Sequence, residues 1–325
     1  MNGLRLQLMF HRINSHGRPT DTAVRQSSPV TRSWVSSTLE DSAKEARMAR
    51  GPKALGQACL KRMGIYHRLT ASVVYDVYWK VFNRSLIDDR NREVAFYQGL
   101  LKGFRAGDLI YDVGANLGYK TNIFLKLGAR VVAVDPDPSN KRILEESFLR
   151  FRIAPKPVTV IGKAASDRSA VATLFVDEPG SAKNTLSQKW VDSLREDTAR
   201  FGQKLSFKDS QEIQTTTLDE IVKDHGNPFF IKIDVEGHEP GVLRGLHRPV
   251  PYLSYEVNLP EFRSEGLECV GILNRLEPKG RFNYGTDCRQ GLLLTEWLDA
   301  ETFSTLLREC KNPSIEVFWK TRDAV

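Results

Sequence analysis

Cysteine is scarce: Cys59, Cys269, Cys288 and Cys310 are the only four in 325 residues. No two form a Cys-x-x-Cys pair, and no histidine cluster completes a zinc-ligand spacing. A disulfide scaffold and a structural zinc module are therefore excluded, and scattered thiols of this kind suit a reduced, cytoplasmic protein. Long apolar runs are missing too. None reaches the ~18 residues that a membrane-crossing helix needs. The N-terminal Leu4, Leu6, Leu8, Met9 and Phe10 are too few, and too interrupted by Arg5 and Gln7, for a secretory signal. Glycine and proline are not in excess, at 23 and 15 residues, which excludes a collagen.

The composition that is present is that of a globular chain, with 41% hydrophobic and 27% charged residues. Its net charge of +7 invites a polyanion partner only if the charge is localised. Residues 1–38 carry five arginines against one aspartate, so only +3 remains on residues 39–325. This Arg- and Ser-rich, acid-poor start has no hydrophobic periodicity. Three readings stay open for it: a disordered tail ahead of a true start at Met48 or Met63, a transit peptide, or a basic arm. The expected organisation is a disordered basic tail over 1–50, a helical segment over 51–105 and one α/β domain over 106–325.

Apolar residues recur at helical spacing through Leu69, Val73, Val77, Val81 and Phe82, and again through Val94, Tyr97, Leu100, Leu101 and Phe104. Then βα units begin. Strands are expected at Leu109–Val113, Val131–Val134, Val158–Ile161, Phe229–Ile233 and Tyr252–Tyr255, with an antiparallel strand at Val171–Val176. Late strands are expected at Phe282–Tyr284, Leu292–Leu294 and Ile315–Phe318. Helices are expected over Leu117–Leu127, from Pro138 (capped by Asp137) to Phe151, over Gly241–Leu246, within 260–277 and around Thr302–Cys310. Thr217-Leu-Asp-Glu220 is a capping box that opens a further helix. Alternating strands and helices predict a doubly wound, mostly parallel sheet. Residues 179–211 interrupt it with a weak helical segment, Trp190–Phe201, and are expected to be an insertion that serves as a lid.

In such a sheet ligands bind outside the carboxyl ends of the strands. Nearly every predicted strand here ends in an acid. The first gives Asp112-Val-Gly-Ala-Asn-Leu-Gly118, where Gly114 permits a sharp turn, Gly118 permits close helix approach, and the helix N-terminus favours an anionic group. Asp135 follows Gly114 by 21 residues, the spacing at which an acid accepts hydrogen bonds from ribose hydroxyls. The glycine pattern G-x-G-x-x-G is absent, which disfavours a pyrophosphate and hence a nicotinamide oxidoreductase. A nucleoside ligand without a pyrophosphate fits better.

Asp112-Val-Gly-Ala-Asn-Leu-Gly-Tyr119, Val134-Asp-Pro-Asp-Pro138, Thr217-Leu-Asp-Glu220, Ile231-Lys-Ile-Asp-Val-Glu-Gly-His-Glu239, Val242-Leu-Arg-Gly245 and Ser254-Tyr-Glu-Val257 together resemble the FkbM-type methyltransferases. That family belongs to the class I S-adenosylmethionine-dependent enzymes. The resemblance spans roughly residues 95–260, and the Lys232-Ile-Asp-Val-Glu-Gly block is its most specific part. It implies a Rossmann-like seven-stranded sheet with an antiparallel last strand. It also implies O-methylation of a hydroxyl on a small molecule such as a sugar or secondary metabolite. Gly114, Ala115, Asn116, Gly118 and Tyr119 would then surround the cofactor's amino-acid end, with Asp112 near its ammonium. Asp135 and Pro136 would border the ribose, and Ala165 and Ser166, with Asp167, the adenine.

A hydroxyl acceptor needs positioning and a base. Asp234, Glu236 and His238 are the candidates, Asp234 also bordering the cofactor. Each has a blander alternative: loop positioning for Asp234, helix capping for Glu236 and Glu239, a surface helix start for His238. A divalent cation held by these acids is possible chemistry, but no clear ligand set accompanies it. Lys232, flanked by isoleucines, is expected to pair with Asp234, Asp112 or Glu256, or else to touch substrate. Two other functions are weighed. A nucleic-acid methyltransferase is disfavoured, because no basic run with interleaved aromatics accompanies the site and the Asn/Asp-Pro-Pro-Tyr signature is missing. A non-catalytic nucleoside-binding protein of the same fold is the other. Oligomeric state is not legible.

Overall fold

A computed structural model describes residues 84–150, 154–196, 205 and 207–324, all within the structural unit Lys61–Val325. The tail over 1–50, the helix expected at Leu69–Phe82 and most of segment 51–105 lie outside the described residues.

Short, continuous apolar runs build the sheet. Strands β1 (Leu109–Val113), β2 (Arg130–Val134), β3 (Val158–Ile161), β7 (Phe230–Ile233), β8 (Tyr252–Asn258), β9 (Arg281–Gly285) and β10 (Ser314–Lys320) form seven strands in the order β3-β2-β1-β7-β8-β10-β9. β3, β2, β1, β7 and β8 are mutually parallel, and β10 inserts antiparallel to both β8 and β9. This is the doubly wound, Rossmann-like sheet with an antiparallel last strand. Central strands β1 and β7 are buried along their whole length, as strands covered on both faces must be. A second sheet, β4 (Ala164–Ala165), β6 (Asp209–Thr216) and β5 (Val171–Val176), sits beside the first, with β6 in the middle.

Helices cover each face. On one side α1 (Arg84–Leu100), α2 (Tyr119–Lys126) and α3 (Pro138–Glu145) bury Tyr97, Ile123, Phe124 and Leu144 against Ile110, Val131 and Phe230. On the other, α4 (Gln188–Glu196), α5 (Leu218–His225), α6 (Glu239–Arg244), α7 (Arg263–Leu276) and α8 (Ala300–Glu309) pack against Tyr111, Ile231 and Leu253. Caps set several boundaries. Asp137 accepts from Ser139 N at the start of α3, and Thr217 and Glu220 form the reciprocal capping box of α5.

The structure departs from the sequence expectations in three places. The helix from Pro138 leaves the α form after Glu145 and continues as a π turn, Glu146–Arg150. No strand forms at Leu292–Leu294. The Asn283 side chain takes its place, donating to Leu294 O at 2.9 Å and accepting from Leu294 N at 3.3 Å. Within 179–211 the expected helix is described as α4, residues 197–201 lying outside the described residues, and the segment ends by entering β6, a strand the sequence does not predict. Cys269, Cys288 and Cys310 are free and buried. Among the described residues no helix is long and apolar enough to cross a membrane.

Candidate functional site

The carboxyl ends of β1, β2 and β7 converge because the turn after β1 is clamped on both sides. Gly114 N and Ala115 N donate to Val134 O at the end of β2, and Asp234 N donates to Val113 O. Gly114 has φ +82°, and a Cβ there would stand 1.8 Å from the Asp234 carbonyl oxygen. Only glycine satisfies both conditions. Gly118, also left-handed, starts α2 where a Cβ would meet Phe148 and Leu144 at 2.6–2.9 Å. Between them Asn116 has φ 47°, which asparagine tolerates, and its N–H donates to Asp135 Oδ2 at 2.8 Å.

Asp135 is buried and accepts two further bonds on Oδ1, from Asp137 N at 3.0 Å and Asn140 Nδ2 at 3.2 Å. Burial pushes its carboxyl up to about 6, although these donors favour the ionised form. From Asp135 a cleft runs to the loop after β7. Gly114, Asn116, Asp135, Pro136, Ala165, Asp234, Glu236 and His238 all line it.

The remaining sequence candidates stand outside the cleft lining. Asp112 is buried in the sheet; its Oδ2 accepts from Thr121 Oγ1 at 2.6 Å, while Oδ1 finds no hydrogen-bond partner among the described residues. Burial raises its carboxyl. Ala115 is buried and Gly118 packs against the π turn. Tyr119 is 45% exposed, with the Arg90 guanidinium 5.7 Å above its ring. Ser166 lies behind the wall, where its hydroxyl meets His238 Nε2 at 3.1 Å. Burial, then the nearby Arg244, holds the His238 imidazole below its ordinary value. Its Nε2 faces Ser166 rather than the acids.

Strand alternation gathers the acids. Asp112, Lys232 and Ser254 are in register across β1, β7 and β8, and Glu256 lies opposite Glu316 across β8 and β10. Lys232 Nζ is 2.7 Å from Asp234 Oδ2, the lysine buried and Asp234 31% exposed. The lysine therefore has its expected partner in Asp234. Burial alone would raise Asp234, but the Lys232 charge, the hydrogen bonds with Glu256 and Lys232 and the Lys120 charge together hold the carboxyl below the usual range. Glu256, whose Oε1 accepts from Ser314 Oγ at 2.7 Å, and Glu236 are both pushed well up. Burial is the first cause for both; the charges of Glu256, Asp234 and Glu239 follow for Glu236, and the charge and hydrogen bond of Asp234 for Glu256. Glu236 also has φ 55°. Among the described residues no group of three or more His, Cys, Asp or Glu side chains is arranged to hold a metal ion.

Glu239 supports this loop from below. Its Oε1 accepts from Val235 N at 3.1 Å and Gly237 N at 3.2 Å, and burial pushes it up to about 7. A carboxyl raised in the folded state costs stability as pH climbs from its unfolded value through the folded one. Glu239→Gln keeps the accepting oxygen and loses the charge. It is expected to match the parent near pH 4.5 and to exceed it by on the order of 3 kcal/mol at pH 8, read by urea unfolding. A constant difference across that range would show that Glu239 does not titrate there.

The segment after β5, at the start of the insertion expected as a lid, forms a wall of the cleft through residues that sequence reasoning did not single out. Ser181, Ala182, Asn184, Thr185 and Leu186 line the cleft opposite Gly114. Asp137 has a second role there: beyond capping α3, its Oδ2 accepts from Gly180 N at 2.7 Å and Asn184 Nδ2 at 2.8 Å.

The profile of the methyltransferase FkbM domain matches residues 112–265. The hexuronic acid methyltransferase AglP of Haloferax volcanii is 28% identical over 160 residues, 49% of this chain and 58% of its own length. The ribosomal RNA large subunit methyltransferase E of Archaeoglobus fulgidus is 30% identical over 159 residues, 48% of this chain and 72% of its own. A solved methyltransferase FkbM from Methylobacillus flagellatus KT superposes with a TM-score of 0.43 at 18% identity, over 70% of this chain and 47% of that one.

Proposed function

Because the chain belongs to the FkbM methyltransferase family of class I S-adenosylmethionine-dependent enzymes, we propose that it O-methylates a hydroxyl of a small, carbohydrate-like acceptor. The observation that carries this reading is the single cleft running from the Gly114–Asn116 turn and Asp135 to the acids after β7. The residues fit the cofactor. Gly114 and Asn116 of the turn line the cleft beside Asp135, whose carboxyl borders it as an acceptor for ribose hydroxyls. When bound, S-adenosylmethionine supplies an electrophilic methyl group.

The chain's own residues then orient the acceptor and take its proton. Lys232 fixes Asp234 in one ionised position at the strand end, where it can accept a hydrogen bond from the acceptor hydroxyl. Glu236, also lining the cleft, has a carboxyl whose proton affinity is raised by burial and by Glu256 and Asp234. Asp234 and Glu236 both line the cleft; Glu236, whose proton affinity is raised while that of the Lys232-paired Asp234 is lowered, is assigned the proton and Asp234 the orientation. His238 is assigned to support of the adenine-side wall through Ser166.

The weak similarity to a hexuronic acid methyltransferase supports a sugar acceptor. The similarity to a ribosomal RNA methyltransferase supports an alternative, RNA as acceptor. The Asp234 carboxylate that lines the cleft argues against it, since RNA binding rests on phosphate contacts with cations.

Calorimetric titration with S-adenosylmethionine and S-adenosylhomocysteine tests the cofactor reading, and failure of both to bind would sink it. Radiolabelled methyl transfer to neutral sugars, hexuronic acids and ribosomal RNA separates the acceptors; label appearing only in RNA would overturn the sugar reading. Asp135→Asn is expected to weaken S-adenosylhomocysteine about tenfold or more, from the ~1.5–3 kcal/mol of a hydrogen bond to a charged group. In the parent, affinity is expected to fall below pH 6, because ribose hydroxyls donate to the ionised carboxylate and acid protonates it. The variant is expected to lose that pH dependence. Unchanged affinity in Asp135→Asn would refute the ribose role.

A further inference from the structure

The segment joining β5 to α4 is built differently from an ordinary surface connection. It is knitted internally by one side chain: Asn184 Oδ1 accepts from Asp177 N at 3.0 Å, and its Nδ2 donates to Glu178 O at 2.9 Å. It returns against β5 through a pair of backbone bonds between Phe175 and Thr185. It is also tied to both banks of the cleft. On the β2 bank, Gly180 N and Asn184 Nδ2 reach Asp137 Oδ2. On the β7 bank, the buried Thr185 donates through Oγ1 to the Glu236 carbonyl oxygen at 2.7 Å.

These ties span the space that the proposed function assigns to the cofactor. Apolar packing does not account for them, because only Leu186 of this stretch packs against the small cluster of Ala164, Leu174, Val176 and Ile213. What holds the segment across the cleft is a few hydrogen bonds to its two walls. Bonds of that kind are individually modest, on the order of 1 kcal/mol each, and more where a carboxylate accepts. They are strong enough to close and weak enough to open. The Thr185 bond has a further consequence. It fixes the peptide after Glu236, whose left-handed backbone is a costly conformation for a glutamate.

We propose that residues 177–187 form a clasp that encloses the cofactor, latched at Asp137 by Asn184 and at the Glu236 carbonyl by Thr185. This rests on reading the cleft as the cofactor site. Asn184 and Thr185 act as positioning residues: they touch the walls and set how long the ligand stays. Through Thr185 the closed clasp also holds Glu236 in the orientation its role requires.

The test is the binding kinetics of S-adenosylhomocysteine, followed by stopped flow on the full chain, with hydrogen exchange of residues 177–187 read with and without ligand. Thr185→Val keeps the shape and removes the donor. Asn184→Asp keeps the shape and sets a second carboxylate against Asp137. Both are expected to speed dissociation at least tenfold and to accelerate association. Both are also expected to lose the exchange protection that the ligand confers on the parent. Thermal midpoints within a few degrees of the parent certify the fold, and if Asn184→Asp does not fold, Thr185→Val decides alone. A wall that merely fills space would lower the midpoint and leave both rates alone. Dissociation rates within twofold of the parent overturn the clasp. A parent that binds no S-adenosylhomocysteine overturns the cofactor reading instead, and the clasp with it.

Discussion

Gly114→Ala is expected to lower the thermal midpoint by about 6–12 °C and to abolish measurable S-adenosylhomocysteine binding. Two costs combine. The first is conformational: at φ +82° an alanine pays about 1–2 kcal/mol. The second is steric. The new Cβ would lie 1.8 Å from the Asp234 carbonyl oxygen and 2.8 Å from its carbon. Those are backbone atoms at the end of β7, not the tip of a side chain, so relief requires the β1 turn and the β7 loop to separate. That gap is the seam on which the cleft is built, and about 3 kcal/mol in all is a conservative sum, at 2–4 °C per kcal/mol for a domain of this size. Gly107→Ala supplies the control. It has φ +96° with nothing within 4 Å of its added Cβ, so it carries the conformational cost alone. Equal losses for the two variants would show that the approach of Asp234 to the turn contributes nothing.

The seam was legible from the sequence because backbone geometry leaves a mark on residue type. Gly114 and Gly118 around a strand end, and an acid 21 residues on, follow from a tight turn beside a second strand end. The apolar runs Leu109–Val113 and Phe230–Ile233 read as buried strands for the same reason. β6 left no such mark. Its sequence Asp-Ser-Gln-Glu-Ile-Gln-Thr-Thr is polar because only its last residues and Ile213 are buried, so alternation never rises above the composition of a loop. Asp137 was read as a helix cap, which it is, but one oxygen suffices for that and the other holds the clasp. His238 looked like a base by its position in the motif. Its contact with Ser166, 72 residues away in sequence, is a tertiary fact that no local pattern encodes. Leu292–Leu294 makes one backbone bond to β9, from Leu293 N to Tyr284 O, while both backbone groups of Leu294 go to the Asn283 side chain, so no strand extends there.

Lys232→Met is the complementary test, of charge rather than space. The substitution keeps most of the buried volume and leaves Asp234 without its counter-ion at the mouth of the cleft. Breaking a buried pair costs 3–5 kcal/mol when the remaining charge is fully enclosed; with Asp234 31% exposed, about 3 kcal/mol or somewhat less is expected at pH 7. The pH dependence identifies the cause. In the parent, Asp234 is held below its ordinary value, so the stability it contributes is present above pH ~4 and lost as pH falls through its folded value. In the variant, the largest contribution opposing burial is gone, the carboxyl rises, and stability is lost as pH climbs above ~4. The difference between the two proteins in urea unfolding is therefore expected to be large at pH 7 and to close toward pH 4. A gap of the same size at both would trace the loss to packing alone. Catalysis is expected to fall further than stability, because an Asp234 that binds a proton near neutrality no longer accepts from a hydroxyl, and its charge no longer raises Glu236. Lys232→Met combined with Asp234→Asn is expected to recover the stability but not the turnover. That separation is what distinguishes a lysine that holds the reacting carboxylate in its ionised form from one that merely fills the middle of a sheet.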